Sequence, residues 1–181
     1  GKNEEAYDFF YKACWNAAWQ DAGYYSLAQL SAARGDWEEA LYEIDKSLLR
    51  NWHNLRGRHL KTIILRHLGR NDEAIALIDE SLRIDRFNFG CGFEKYLITG
   101  NDSDLKALVA LMRPEGHNYS ELALDYASAG CWEEALQVAE TAIDLQVADQ
   151  TMLHYYKSWF LIRLDRKEEA LAAIREAEQQ I

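Results

Sequence analysis

"GDWEEAL" occupies residues 35–41 and "GCWEEAL" occupies residues 130–136. Each sets two adjacent glutamates beside a tryptophan, Glu38 and Glu39 after Trp37, Glu133 and Glu134 after Trp132. Paired carboxylates near an aromatic ring can act as general acid and base on a glycosidic bond. Two further stretches argue otherwise: residues 69–75 read "GRNDEAI" and residues 165–171 read "DRKEEAL". The alanines of this signal, Ala40, Ala74, Ala135 and Ala170, are separated by 34, 61 and 35 residues, and Ala6 in "NEEAYDFF" lies another 34 before Ala40. A period near 34 marks stacked helical hairpins. The interval of 61 hides a shortened unit, "CGFEKYLITGNDSDLKALVALM", with Gly100 at the turn and Leu105 in the alanine's place.

Every unit has the same internal order. An apolar periodic stretch precedes the turn ("YYSLAQLSAAR", "LKTIILRHL", "YSELALDYASA", "MLHYYKSWFLIRL") and another follows it ("EEALYEIDKSLL", "DEAIALIDESLRI", "EEALQVAETAIDL", "EEALAAIREAEQQI"). Apolar residues at i, i+3 or i+4, and i+7 predict two amphipathic helices per unit. Glycine suits the left-handed residue that closes the first helix. Asp36 followed by Glu39 three residues later predicts a capping box, and Glu73, Asp104, Glu134 and Glu169 recur at the same offset. A carboxylate present in every unit does the same work in every unit, so the pairs read as helix starts and not as an active site.

Composition narrows the function classes. The chain has 181 residues, one proline, 49% hydrophobic residues and a net charge of −10. It is long enough for a sizeable core and too ordered in composition for a disordered chain. The negative charge argues against nucleic acid as a partner. No apolar run is long enough to cross a bilayer. Cys14, Cys91 and Cys131 follow no metal spacing and read as buried thiols, so no metal and no cofactor is expected. No phosphate loop, nucleophile elbow or zinc motif occurs. The tryptophans read as hairpin packing, with Trp52, between two units, as the one to expect at the surface. Gly1 without a methionine suggests a fragment of a longer protein. The cytoplasm is favoured as its compartment, with the periplasm open if a leader was removed.

The pattern resembles the tetratricopeptide repeat family over nearly the whole chain. In that family's 34-residue frame a small residue recurs at position 8 (Ala28, Thr62, Ala123, Ser158), alanine at 20, and a small residue at 27 (Ser47, Ser81, Ala142, Ala177). The proline common at position 32 is absent, its places taken by Trp52, Arg86 and Val147. The stretches "WNAAWQDAGYYSLAQLSAARGDWEEAL" and "FNFGCGFEKYL" are further similar to the repeat tail of large, mostly bacterial proteins in which a β-rich domain of unknown function precedes the repeats. The resemblance implies an all-α superhelix, a solenoid of antiparallel hairpins. Residues 1–20 would supply the leading helix of a truncated repeat. Residues 21–181 would form the array, with repeats at about 21–54, 55–88, 116–150 and 151–181 and a shortened one at 89–115.

In the resembled family the first helix of each hairpin lines a concave face. Carried over, that face holds Tyr25 and Gln29, then Arg56, His59, Ile63, Arg66 and His67, then Glu94, then His117, Ser120 and Leu124, then Tyr155 and Trp159. The second group lies in a stretch, Arg50 to Arg70, with six Lys or Arg, three histidines and no acid. It is expected to receive an acidic peptide, a carboxylate or a phosphate. The implied function is a non-catalytic scaffold that holds a protein or peptide, its own missing domain, or a second copy of itself. The alternative is an accessory domain of a carbohydrate-active enzyme, contributing to a substrate pocket or to oligomer assembly.

Overall fold

The computed structural model describes residues 2–179, so the outer ends of the expected first and last segments, residues 1 and 180–181, lie outside the described residues. Among those described, eleven α-helices and one short 3-10 helix account for the regular structure, and no strand occurs. The chain divides into two compact units, Gly1–Leu108 and Val109–Ile181. The first contains α1 (Lys2–Ala13), the 3-10 helix (Ala17–Trp19), α2 (Gln20–Ala33), α3 (Trp37–Arg50), α4 (Leu55–His67), α5 (Asn71–Ile84) and α6 (Phe89–Thr99). Helix α7 (Asp102–Met112) runs across the boundary. The second contains α8 (Gly116–Ser128), α9 (Trp132–Asp144), α10 (Gln150–Arg163) and α11 (Lys167–Glu178).

Consecutive helices pack as pairs: α2 with α3 and α4 with α5 in the first unit, α8 with α9 and α10 with α11 in the second. The small residues of the sequence pattern lie where the two helices of a pair meet. Ala28, Ala40, Thr62, Ala74 and Ser81 are fully buried, as are Ala123, Ala135, Ala142, Ala170 and Ala177 within a few per cent. A small side chain lets two backbones approach, and the surrounding leucines and isoleucines close over the crossing.

The turn within each hairpin is one repeated motif. Asp36 N donates to Ser31 O at 2.9 Å and Gly35 N to Ala32 O at 2.8 Å. The same two bonds recur from Arg70 to Leu65 with Gly69 to Arg66, from Cys131 to Tyr126 with Gly130 to Ala127, and from Arg166 to Leu161 with Asp165 to Ile162. These are Schellman closures, which need a left-handed residue after the helix. Gly35, Gly69 and Gly130 supply it at φ of 81°, 71° and 77°. In the last hairpin Asp165 holds the position at φ 60°, a conformation that costs a residue with a β-carbon.

The capping box is not formed. Asp36 stands before α3 but its side chain caps nothing, and pairs instead with Arg34 Nε at 3.2 Å. The reason is the tightness of the turn. Asp36 N–H already closes the preceding helix, and its ψ of 64° falls short of the extended backbone from which a cap side chain reaches the next turn. Asn54 and Asn88 sit in longer connections and do cap, accepting from Gly57 N at 2.9 Å and Cys91 N at 3.2 Å. Where the turn ends in arginine, the recurring glutamate takes that side chain: Arg70 grips Glu73 and Arg166 grips Glu169, each through two nitrogen–oxygen contacts of 2.6–2.7 Å.

Candidate functional site

The basic helix α4 differs from the expected anion groove. His59 and Ile63 are buried, and burial holds the His59 imidazole at a pKa of about 4, against the partial opposing pull of Glu94. Its ring lies against Gly90, where a β-carbon would collide with it. Arg66 is directed at Glu94, with Nε–Oε2 at 2.8 Å and Nη2–Oε1 at 3.2 Å, and Glu94 is completely buried. His67 is exposed at its edge, but its ring stacks on Trp37 at 4.0 Å between centroids and 4° between planes. Arg56 alone of the expected α4 set is an exposed cation. The helix is basic because its cations serve neighbours within the unit, so His59, Ile63 and Glu94 line no open surface.

Sequence reasoning missed two polar clusters in the same unit. Arg58 is fully buried, donates from Nε to Ser81 Oγ at 2.8 Å, and lies 3.2 Å from Glu80 Oε2. Its guanidinium is 4.4 Å from the centre of the Trp52 ring. Trp52 therefore covers a buried charge, while Trp15 and Trp19 are the more exposed indoles. The second cluster centres on Glu43, buried within the α3 face. It accepts from Ser31 Oγ at 2.7 Å and from Tyr7 Oη of α1 at 2.8 Å. Desolvation raises the Glu43 pKa, and burial together with that carboxylate pushes Tyr7 up to about 12. The signal was available: the equivalent positions of the other repeats are Leu77, Val138 and Ala173, so an acid there needs partners.

Tyr25 and Gln29 of α2 are half-buried and joined, Gln29 Nε2 donating to Tyr25 Oη at 3.2 Å. In the second unit His117 is exposed on α8, and Ser120 and Leu124 are half-buried. Helix α10 is different in kind. Met152, Tyr155, Trp159 and Ile162 are exposed by 51%, 40%, 41% and 52%. Their spacing of three, four and three places all four in one row. Behind them Leu153, Phe160 and Leu161 are fully buried. Trp159 is seated edge-on against Trp132 at 5.6 Å and at a tilt of 39° against Phe160 at 5.3 Å, and the Arg163 guanidinium lies 4.6 Å over the Trp132 ring. The row is thus an apolar surface on a rigid support. The sequence reading had Tyr155 and Trp159 on this face but not Met152 and Ile162, whose 3.6-residue phase would have found them.

No protein-family model matches the chain, and no curated protein is significantly similar to it. Solved structures do match. A tetratricopeptide repeat protein from Parabacteroides merdae ATCC 43184 aligns over 99% of this chain and 72% of its own, with 18% identity and a TM-score of 0.58. MamA from Desulfovibrio magneticus RS-1, residues 41 to the end, aligns over 88% of this chain and 93% of its own, with 20% identity and a TM-score of 0.48. No described helix is long and apolar enough to cross a membrane. With its all-helical pairs, its recurring alanine crossings and its four identical turns, the chain has a tetratricopeptide-type helical-repeat fold.

Proposed function

We propose that the chain is a non-catalytic protein-interaction scaffold, and that α10 carries its docking face. The observation behind this reading is the exposed row Met152, Tyr155, Trp159 and Ile162. Tryptophan, tyrosine and methionine held rigidly at a surface are the residue types on which interface energy concentrates. The glutamates that first suggested catalysis stand at the starts of α3 and α9, where Glu38, Glu39 and Glu133 are exposed and Glu133 lies 3.8 Å from Arg166. The test compares the wild-type chain with the double variant Tyr155→Ala, Trp159→Ala, both immobilised and exposed to one cell extract. A protein retained by the wild type and lost by the variant is then purified and titrated against both. Loss of affinity in the variant supports the reading. Identical retention profiles overturn it.

A further inference from the structure

We infer that the α10 row takes a basic amphipathic helix of a partner protein; this rests on the reading of α10 as the docking face. Three observations on the second unit lead there. The first is shape. Met152 to Ile162 covers eleven residues, about 15 Å or nearly three turns of helix, with exposed apolar side chains in one row. A row of this length and period matches the i, i+3 or i+4, i+7 anchors of a helix laid alongside it. An extended strand would find no free backbone to pair with, because every described element here is helical.

The second observation is chemistry. The exposed row is apolar from Met152 to Ile162, with the exposed Arg163 at its end four residues after Trp159, and its central indole is pre-positioned by Trp132 and Phe160. Little side-chain freedom is lost when a partner covers it. The partner must therefore offer leucine-like or aromatic side chains along one face.

The third is charge. Val109–Ile181 contains six Lys or Arg against thirteen Asp or Glu, a net of −7 over that unit. Asp149 is exposed at the start of α10, and Glu121 is exposed on α8, four residues after His117 and so on the same face of that helix. Helix α8 packs beside α10. The cation nearest the row, Arg163, faces the Trp132 ring. A partner with Glu or Asp flanking its apolar face would meet this field unfavourably, whereas Lys or Arg would be drawn to it. The acidic peptide expected from the sequence of α4 is the wrong sign for this surface.

The experiment uses the full chain and three labelled 18-residue peptides. One carries leucines at i, i+3, i+4 and i+7 with lysine elsewhere. The second has the same leucines with glutamate elsewhere. The third scrambles the first so that no apolar face remains. Fluorescence anisotropy is read at low and high salt. The expected result is that the leucine–lysine peptide binds at least about tenfold more tightly than either of the others, a difference lessened by salt. Trp159→Ala is expected to weaken it by about tenfold or more, with Ile162→Lys as a second, surface-only variant whose helical circular dichroism is unchanged. Preference for the leucine–glutamate peptide, abolished by Trp159→Ala, overturns the charge of the partner while leaving α10 as a docking face. Binding that ignores both substitutions overturns the proposal and the docking face together. Equal binding of the scrambled peptide, or no binding of any, overturns the helical partner.

Discussion

The imidazole of His67 lies flat on the indole of Trp37, 4.0 Å between centroids and nearly parallel. The second unit repeats the arrangement with different chemistry, the guanidinium of Arg163 lying over Trp132. In both, the tryptophan that opens the second helix of one hairpin receives a side chain from the end of the next hairpin's first helix. The tryptophans of the two opening motifs are thus clasps between neighbouring hairpins. A double-mutant cycle of Trp37→Ala with His67→Ala should give a coupling of about 0.5–1.5 kcal/mol in chemical denaturation, the range for well-placed ring pairs. Additive effects would mean that the stack does not stabilise the unit.

Acid should loosen the first unit through His59. Its pKa is about 4 in the fold against an ordinary value of 6.5, so between those values the unfolded chain binds a proton that the folded chain does not. Stability contributed by the neutral imidazole is complete above pH 6.5 and is lost as pH falls toward 4. The shift corresponds to roughly 3 kcal/mol over that window. Of the charged groups that act on the ring, Glu94 opposes the loss while Arg66 and Arg56 add to it. Glu43 works in the other direction, since its raised pKa favours the folded state while protonated and loses that contribution as pH rises. The measurement is therefore a comparison: urea midpoints from pH 4 to 7 for the wild type and for His59→Gln, which should show the shallower slope. Parallel curves would exclude His59 as the source.

Arg66→Ala should unfold the chain more readily and not merely weaken binding at its surface. Arg66 is the bidentate partner of a fully buried carboxylate, and its removal takes two charge-assisted bonds from Glu94. Breaking one side of a buried pair costs about 3–5 kcal/mol. Arg56→Ala, at an exposed position, should change stability by less than about 0.5 kcal/mol. Thermal melts of the two single variants distinguish them, and equal melts would contradict the burial of the pair.

Asp165→Gly should stabilise the last hairpin by about 1 kcal/mol, because glycine adopts the left-handed turn without the penalty that aspartate bears at φ 60°. The ion pair lost with it, Asp165 to Lys167 at 3.0 Å, is exposed on both sides and contributes little. A lower melting temperature in the glycine variant would show that the aspartate side chain does more than occupy the turn.

The helical pairs, their turns and their close crossings were legible because they depend on local rules repeated four times. Ala40, Ala74, Ala135 and Ala170 are in phase with one another, and the apolar stretches on either side carry the helical period. The capping box was misread because two local rules met at one residue. Asp36 is both the last residue of a Schellman closure and the first of a cap, and the closure set its backbone. The α4 groove was misread for another reason. A run of cations with no acid nearby in sequence looks solvated, but Glu94 stands 28 residues after Arg66, and Glu80 stands 22 after Arg58.

What the sequence determined by itself is the all-helical repeat, since a period near 34 with small residues at fixed places has one way of burying its apolar stripes. What the tertiary structure alone decided is which polar residues face inward. His59, Arg58, Glu43 and Glu94 are buried next to partners brought from other helices, and α10 is left with Met152, Tyr155, Trp159 and Ile162 outward because nothing in the unit packs over that side. Periodicity fixes where a side chain lies around its own helix. Whether that direction meets water, a neighbour's backbone or an opposite charge depends on the stacking of one hairpin on the next, which no local pattern encodes.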